Sequence, residues 1–197
     1  MKRASETAKP HRGPRADAVR NRERLLEAAK AAFGKTGIEV SLEEIARRAG
    51  VGIATLYRNF PTRDAIVEAV YRREVQHMAD MATRLLDEMS PGEALHEWLR
   101  LSVEFVATKK GMASALGSIA NADTELYAYS AERLTQTVNR LVRHAAESGD
   151  IRPDVDPADI LRALTGFVYG SEHPGWEAST LRLIDILMDG LRAPLSR

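Results

Sequence analysis

The sequence predicts an all-α fold of about nine helices, and three observations carry that expectation. Apolar residues recur three and four apart in successive segments, with no strand alternation, internal repeat or low-complexity tract. Cap residues, first-turn prolines and terminal glycines punctuate those segments at helix-like lengths. Two short periodic segments within Ser41 to Phe60 are separated only by the few residues around Gly50, the spacing of a helix-turn-helix.

Composition sets the bounds. The chain has 197 residues, 44% of them hydrophobic, and no cysteine, which leaves enough apolar content for a core and excludes disulfide and thiolate chemistry. It has no run of eighteen apolar residues and no signal-peptide pattern, so the expectation is a cytoplasmic chain without membrane contact. The formal net charge is zero but unevenly spread. Residues 1–58 hold 13 Lys and Arg against 7 Asp and Glu, while residues 59–197 hold 15 against 21. A basic end supplies phosphate attraction, and an acidic remainder is held off a duplex.

The elements follow in order. Residues 1–18 are polar and basic, with Pro10, Gly13 and Pro14 and no helical period, and read as a mobile arm. Arg12, Arg15 or the adjoining Arg20 reaching into a minor groove is one reading, as basic arms can, and a simply disordered tail is the other. Residues 19–63 are expected to form a unit of their own around the helix-turn-helix. Its first helix, Val19 to Lys35, buries Leu25, Leu26, Ala29, Ala32 and Phe33 and stops at Gly37. Ser41 with Glu44 is a capping box opening the second helix, whose inward face is Leu42, Ile45, Ala46 and Ala49, with Arg47 and Arg48 outside. Gly50 takes the left-handed stop, and Val51 drops inward. In the third helix Leu56 and Phe60 face inward, leaving Ile53, Ala54, Tyr57 and Arg58 on the outer side. Short side chains at its N-terminus suit entry into a major groove. On these two helices alone, an ordinary helical hairpin remains the alternative.

Residues 64–197 form the body. Thr62 caps a long fourth helix with Ile66, Val67, Val70, Val75, Met78, Ala82, Leu85 and Leu86 inward. Ser90, Pro91 and Glu93 open the fifth, which carries Leu95, Trp98, Leu99, Ser102, Phe105 and Val106 to Gly111. Met112 to Ser118 reads as a brief sixth helix. Asp123 caps a seventh reaching Ser148, and Gly149 stops it. Asp156 and Pro157 open an eighth that ends at Gly170. A last helix, about Glu177 to Leu191, has apolar groups on two sides, Leu181, Ile184 and Met188 on one and Leu183 and Leu187 on the other.

The run GIATLYRNFPTRDAIVEAV resembles the DNA-binding signature of the TetR family of transcriptional regulators. In that signature a recognition helix ending in Leu-Tyr-x-x-Phe is followed by Pro, a small polar cap and a basic residue. Here those are Leu56, Tyr57, Phe60, Pro61, Thr62 and Arg63, and the resemblance covers about Arg20 to Val70. Two positions depart: Gly52 stands where the family often has Ser, and Asn59 where it often has His. The resemblance implies that Thr55, Tyr57, Asn59 and Arg63 hold phosphates, while Gly52, Ile53 and Ala54 approach bases, Ile53 and Ala54 by apolar contact with thymine methyls. Ser41, Arg47, Arg48 and Arg58 complete the set expected at double-stranded DNA.

The resemblance also implies a homodimer on a palindromic operator, a repressor, and a small-molecule effector in the body. Side chains pointed inward by the fourth, fifth and seventh helices, with the segment after Gly111, give the candidate pocket: Met78, Trp98, Ser102, Phe105, Met112, Leu116, Tyr127, Leu134 and Thr137. Aromatic walls, methionines and a few hydroxyls suit a largely apolar effector. Leu164, Phe167, Leu183 and Leu187 of the last two helices are the candidate dimer contact, as a four-helix packing. His11, His77, His96, His144 and His173 fall into no metal spacing, and no nucleophile elbow, phosphate loop or dinucleotide fingerprint is present, so no metal, cofactor or catalytic site is expected. A helical protein-binding adaptor and an all-α enzyme share the helical pattern. Retardation of duplex DNA that fades with salt separates the regulator from both.

Overall fold

Start signals in the sequence set most helix ends in the computed structural model of the chain, which describes residues 14–122, 124–170 and 174–192. The described residues form nine α-helices: α1 Pro14–Thr36, α2 Leu42–Ala49, α3 Ile53–Asn59, α4 Arg63–Glu88, α5 Pro91–Gly111, α6 Ala113–Ala122, α7 Thr124–Glu147, α8 Pro157–Tyr169 and α9 Trp176–Leu191. A 3-10 turn, Gly37–Glu39, links α1 to α2. The hydroxyl of Thr62 accepts the Ala65 N–H at 3.1 Å, and Asp156 accepts that of Ala158 at 2.8 Å. Ser90 and Glu93 exchange both bonds of a capping box at the start of α5.

The bounds of two helices and one cap differ from expectation. Residues 14–18, assigned to the arm, are the first turn of α1: Pro14 suits a first helical position, and Asp17 in that turn pairs with Arg20. Arg15 thus falls within α1, while His11 and Arg12 lie outside the described residues. The sixth helix starts one residue later than expected and runs on through Gly117 to Ala122. At α2 only half of the capping box forms. Ser41 Oγ accepts the Glu44 N–H at 3.1 Å, but the Glu44 carboxylate turns to Arg47 and Arg48, each at 2.7 Å, because two guanidinium donors outcompete one backbone N–H. Asp123 and His173 lie outside the described residues.

The buried side chains form one continuous cluster running from the N-terminal head, through Phe33, Ile45, Leu56 and Phe60, into the body at Trp98, Leu99, Leu141 and Ile184. α1 packs on α2, α4 and α5, and α4 packs in turn on α5, α6 and α7, so α4 belongs to both parts. At the far end α8 and α9 pack on each other and on α5. There Asp185 of α9 takes a hydrogen bond with His96 at 2.7 Å and one from Arg100 at 2.8 Å, and these partners hold its carboxyl below the usual range.

The junction of head and body is polar as well as apolar. Lys30 of α1 pairs with Glu74 of α4 at 2.9 Å and Glu104 of α5 at 3.0 Å, and Arg73 pairs with Glu27 at 2.7 Å. Burial works against the Lys30 ammonium, but hydrogen bonds to Glu74 and Glu104 outweigh it and hold its pKa above the usual lysine value. The ends of α1 and α5 also meet backbone to backbone. A methyl group on Gly111 would lie 2.5 Å from the Phe33 carbonyl oxygen. No helix among the described residues is long and apolar enough to cross a membrane.

Candidate nucleic-acid interface

α2 and α3 meet through a turn held by backbone hydrogen bonds back to α2. Gly50 has φ 62°, its N–H reaches the Arg47 carbonyl at 3.2 Å, and the Val51 N–H reaches that of Ala46 at 3.0 Å. A β-carbon at position 50 would be strained by that φ. Leu42, Ile45, Ala46 and Ala49 from α2 and Leu56 and Phe60 from and just after α3 are buried against Leu26 and Phe33 of α1. Arg22 of α1, absent from the sequence reading, stacks its guanidinium 4.5 Å from the centre of the Phe60 ring and closes this small core from outside.

With its inner face so fixed, α3 presents a definite outer strip. Ile53 is 38% and Tyr57 45% exposed, and Gly52 and Ala54 lie open beside them. Two large apolar side chains thus stand in water on one short helix. Gly52 gives α3 no side-chain cap, as its lack of a side chain dictates.

The polar residues of the set are less uniform. Arg58 folds back along α3, its Nε donating to the Ala54 carbonyl at 3.1 Å and its Nη2 to Thr55 Oγ1 at 2.9 Å. Asn59 donates to the Thr55 carbonyl at 2.8 Å. Arg63 is turned inward. Its Nη1 donates to the carbonyls of Ile38 and, at 2.7 Å, Val40, so it braces the α1–α2 connection against the start of α4. Arg47 and Arg48 share Glu44, whose carboxyl their hydrogen bonds push down to about 2, leaving the trio with one net positive charge at the exposed end of α2.

In the body, Met78, Trp98, Ser102, Phe105, Met112, Leu116 and Thr137 are all buried and Leu134 is half-buried, while the Tyr127 side chain lies outside the described residues. Their polar atoms are satisfied within the chain. Trp98 Nε1 donates to the Met78 carbonyl at 2.9 Å, Ser102 Oγ to that of Trp98 at 2.7 Å, and Thr137 Oγ1 to that of Arg133 at 2.7 Å. Thr137 borders a cavity of about 200 Å³ between α4 and α7. Of the four residues expected at a dimer contact, Leu164 is buried within the chain's own core. Phe167, Leu183 and Leu187 are half-buried. Ile186, 66% exposed on α9 between Leu183 and Leu187, was missed in the sequence reading, although it stands three residues from Leu183 on the second apolar side. Among the described residues no group of His, Asp and Glu is arranged to hold a metal.

The chain matches the family description "Bacterial regulatory proteins, tetR family" over residues 25–70 and "Transcriptional regulator SbtR-like, C-terminal domain" over residues 90–193. Among solved structures, a TetR transcriptional regulator from Streptomyces coelicolor is 40% identical, covering 89% of this chain and 99% of that one, with a TM-score of 0.81. The TetR transcription regulatory protein from Mycobacterium vanbaalenii is 36% identical, covering 92% and 100%, with a TM-score of 0.76. An HTH-type transcriptional regulator of Staphylococcus aureus is 28% identical over 93 residues, 47% of this chain, which spans about half the length of that curated relative. With a helix-turn-helix in its basic head, a match across most of its body and a near-complete structural likeness to such regulators, the chain belongs to the TetR family of transcriptional regulators and is a DNA-binding regulator rather than an enzyme.

Proposed function

We propose that two copies of this chain bind a palindromic operator in the cytoplasm as a repressor, and that a small effector in the body weakens that binding. The observation that carries the proposal is the exposed strip of Gly52, Ile53, Ala54 and Tyr57 on a helix whose other face is locked into the head. Ile53 and Ala54 approach bases. Thr55 and Tyr57 meet phosphates, joined by Arg58 and Asn59 once these release the α3 backbone. Ser41, Arg47 and Arg48 flank the duplex from α2. Arg63 acts on DNA by holding the head in shape. Titration of footprinted genomic sites, with affinity falling as salt rises, tests this reading, and salt-independent or absent binding overturns it.

Tyr57→Phe is expected to weaken all DNA sequences alike by roughly fivefold, the worth of about 1 kcal/mol for one hydrogen bond to phosphate. Equal binding by mutant and parent removes Tyr57 from the contact.

One recognition helix reads only a few base pairs, so specificity needs two heads. Ile186, Leu183, Leu187 and Phe167 on α8 and α9 offer the apolar surface for a four-helix contact between copies. Light scattering at micromolar concentration is expected to give twice the chain mass, and a monomer there defeats the proposal. The effector is a largely apolar molecule with a few hydrogen-bonding groups, held near Trp98, Phe105 and Met112, where tryptophan fluorescence follows it.

A further inference from the structure

A cavity of about 200 Å³ opens between α4 and α7, lined by Ala79 and Thr83 from one helix and Arg133, Gln136, Thr137 and Arg140 from the other. Positions 133, 137 and 140 recur at helical spacing and share one face of α7. Two guanidinium groups therefore enter one small space whose wall contains no carboxylate. The Nε of each is buried without a hydrogen-bond partner. Arg140 commits Nη2 to Thr83 Oγ1 at 2.8 Å and to the Ala79 carbonyl at 3.5 Å. Among the described residues neither arginine forms an ion pair. Arg73, the other guanidinium with an unpartnered buried nitrogen, already faces Glu27 at 2.7 Å and Glu23 at 3.6 Å.

Each Nε is too enclosed for a ligand to reach, but two guanidinium groups on one slot without a carboxylate partner call for an anion at their remaining N–H groups. Two donors of the wall are turned to the chain itself: a Gln136 amide N–H donates to Glu132 at 2.9 Å, and the Thr137 hydroxyl to the Arg133 carbonyl at 2.7 Å. We infer that the slot between α4 and α7 binds a small carboxylate, received by Arg133 and Arg140. The planar fork of a guanidinium matches a carboxylate in shape and charge. The volume admits a carboxylate on a short chain or a single ring. The anion joins α7 to α4, because Arg140 already reaches Thr83. This deepens the effector reading above by placing a carboxylate beside Thr137 of the candidate pocket, and only its regulatory consequence rests on that reading.

The test is calorimetric titration of the full chain, without DNA, by sodium benzoate, its neutral counterpart benzamide, and inorganic phosphate. Benzoate is expected to saturate one site per chain, with benzamide and phosphate at least tenfold weaker. Arg133→Gln is expected to weaken benzoate at least tenfold while leaving the ligand-free melting temperature unchanged or higher, since it removes a charge that forms no ion pair among the described residues. A purely structural arginine gives the opposite, a lower melting temperature. If Arg133→Gln does not fold, Arg140→Gln and the charge-keeping Arg133→Lys carry the same comparison, the latter retaining part of the affinity. Equal binding of benzoate and benzamide, binding that survives loss of either arginine, or a preference for phosphate overturns the carboxylate site. Operator affinity is measured separately. Benzoate that binds through both arginines yet leaves operator affinity unchanged confirms the site and overturns its role as part of the effector.

Discussion

Lys30→Met is expected to lower the free energy of unfolding by about 3 kcal/mol, read as a shift in the urea midpoint at constant slope. Methionine keeps the length and apolar stem of lysine and removes its charge. Glu74 is 4% exposed, so its carboxylate then stays buried facing no cation at that site, and breaking a buried pair from one side costs far more than the pair contributes as a whole. The double variant Lys30→Met with Glu74→Gln is expected to recover much of the loss. A loss below about 1 kcal/mol in the single variant means that water reaches Glu74 and the explanation is wrong. The same site sets a pH dependence. Because the folded pKa of Lys30 lies above the unfolded value of 10.5, its contribution is complete below pH 10.5 and disappears as pH rises through the folded pKa. Parent and Lys30→Met stabilities should therefore converge in strong alkali and stay apart at neutral pH.

Gly111→Ala is expected to destabilise by about 1–3 kcal/mol, the usual cost of overfilling a packed contact. The sign is the informative part. Alanine is ordinarily better than glycine in a helix by about 0.5–1 kcal/mol, so without a steric conflict the variant gains stability. The new methyl group would sit 2.5 Å from the Phe33 carbonyl oxygen, a backbone atom that moves only if the α1 and α5 ends part. Gly34 is the internal control, since a methyl group there meets nothing within 4 Å and Gly34→Ala should stabilise. Equal gains in both variants would mean that the two helix ends separate freely.

What the sequence made legible was local. Thr62, Ser90 and Asp156 sit beside the N–H groups they satisfy, within three residues, so pattern alone finds them. The turn at Gly50 and the inward face of the helix-turn-helix are equally short-range. Illegible features were of two kinds. Some arise where two local solutions compete, as at Glu44, where the capping pattern and the two arginines offer the same carboxylate different partners. Others join distant residues, such as Lys30 to Glu74 and Glu104, Gly111 to Phe33, and Arg63 to Ile38 and Val40, and periodicity says nothing about which charged residues of separate helices will meet. The candidate DNA strip was legible because it is one face of one helix. The Arg63 brace was not, since a basic residue after the recognition helix looks the same in sequence whether it turns to phosphate or to its own chain. Leu164 shows the same limit for the dimer contact, where an apolar stripe does not reveal which of its members the chain keeps for itself.

α4 is a single run of 26 residues that follows α3 after only three intervening residues and runs on into the body. At about 1.5 Å per residue it is roughly 39 Å long, so a tilt on the order of 5° at the body end carries the other end through roughly 3 Å. Such an arm converts angle into displacement. In the dimer proposed above, with one arm in each copy, the two displacements would add, and the gap between the heads would change by about as much as two steps along B-DNA, at roughly 3.4 Å each. Repacking of a few side chains around α4 would then be a large enough event to put the two proposed heads out of register with their half-sites, with no part of α4 unfolding.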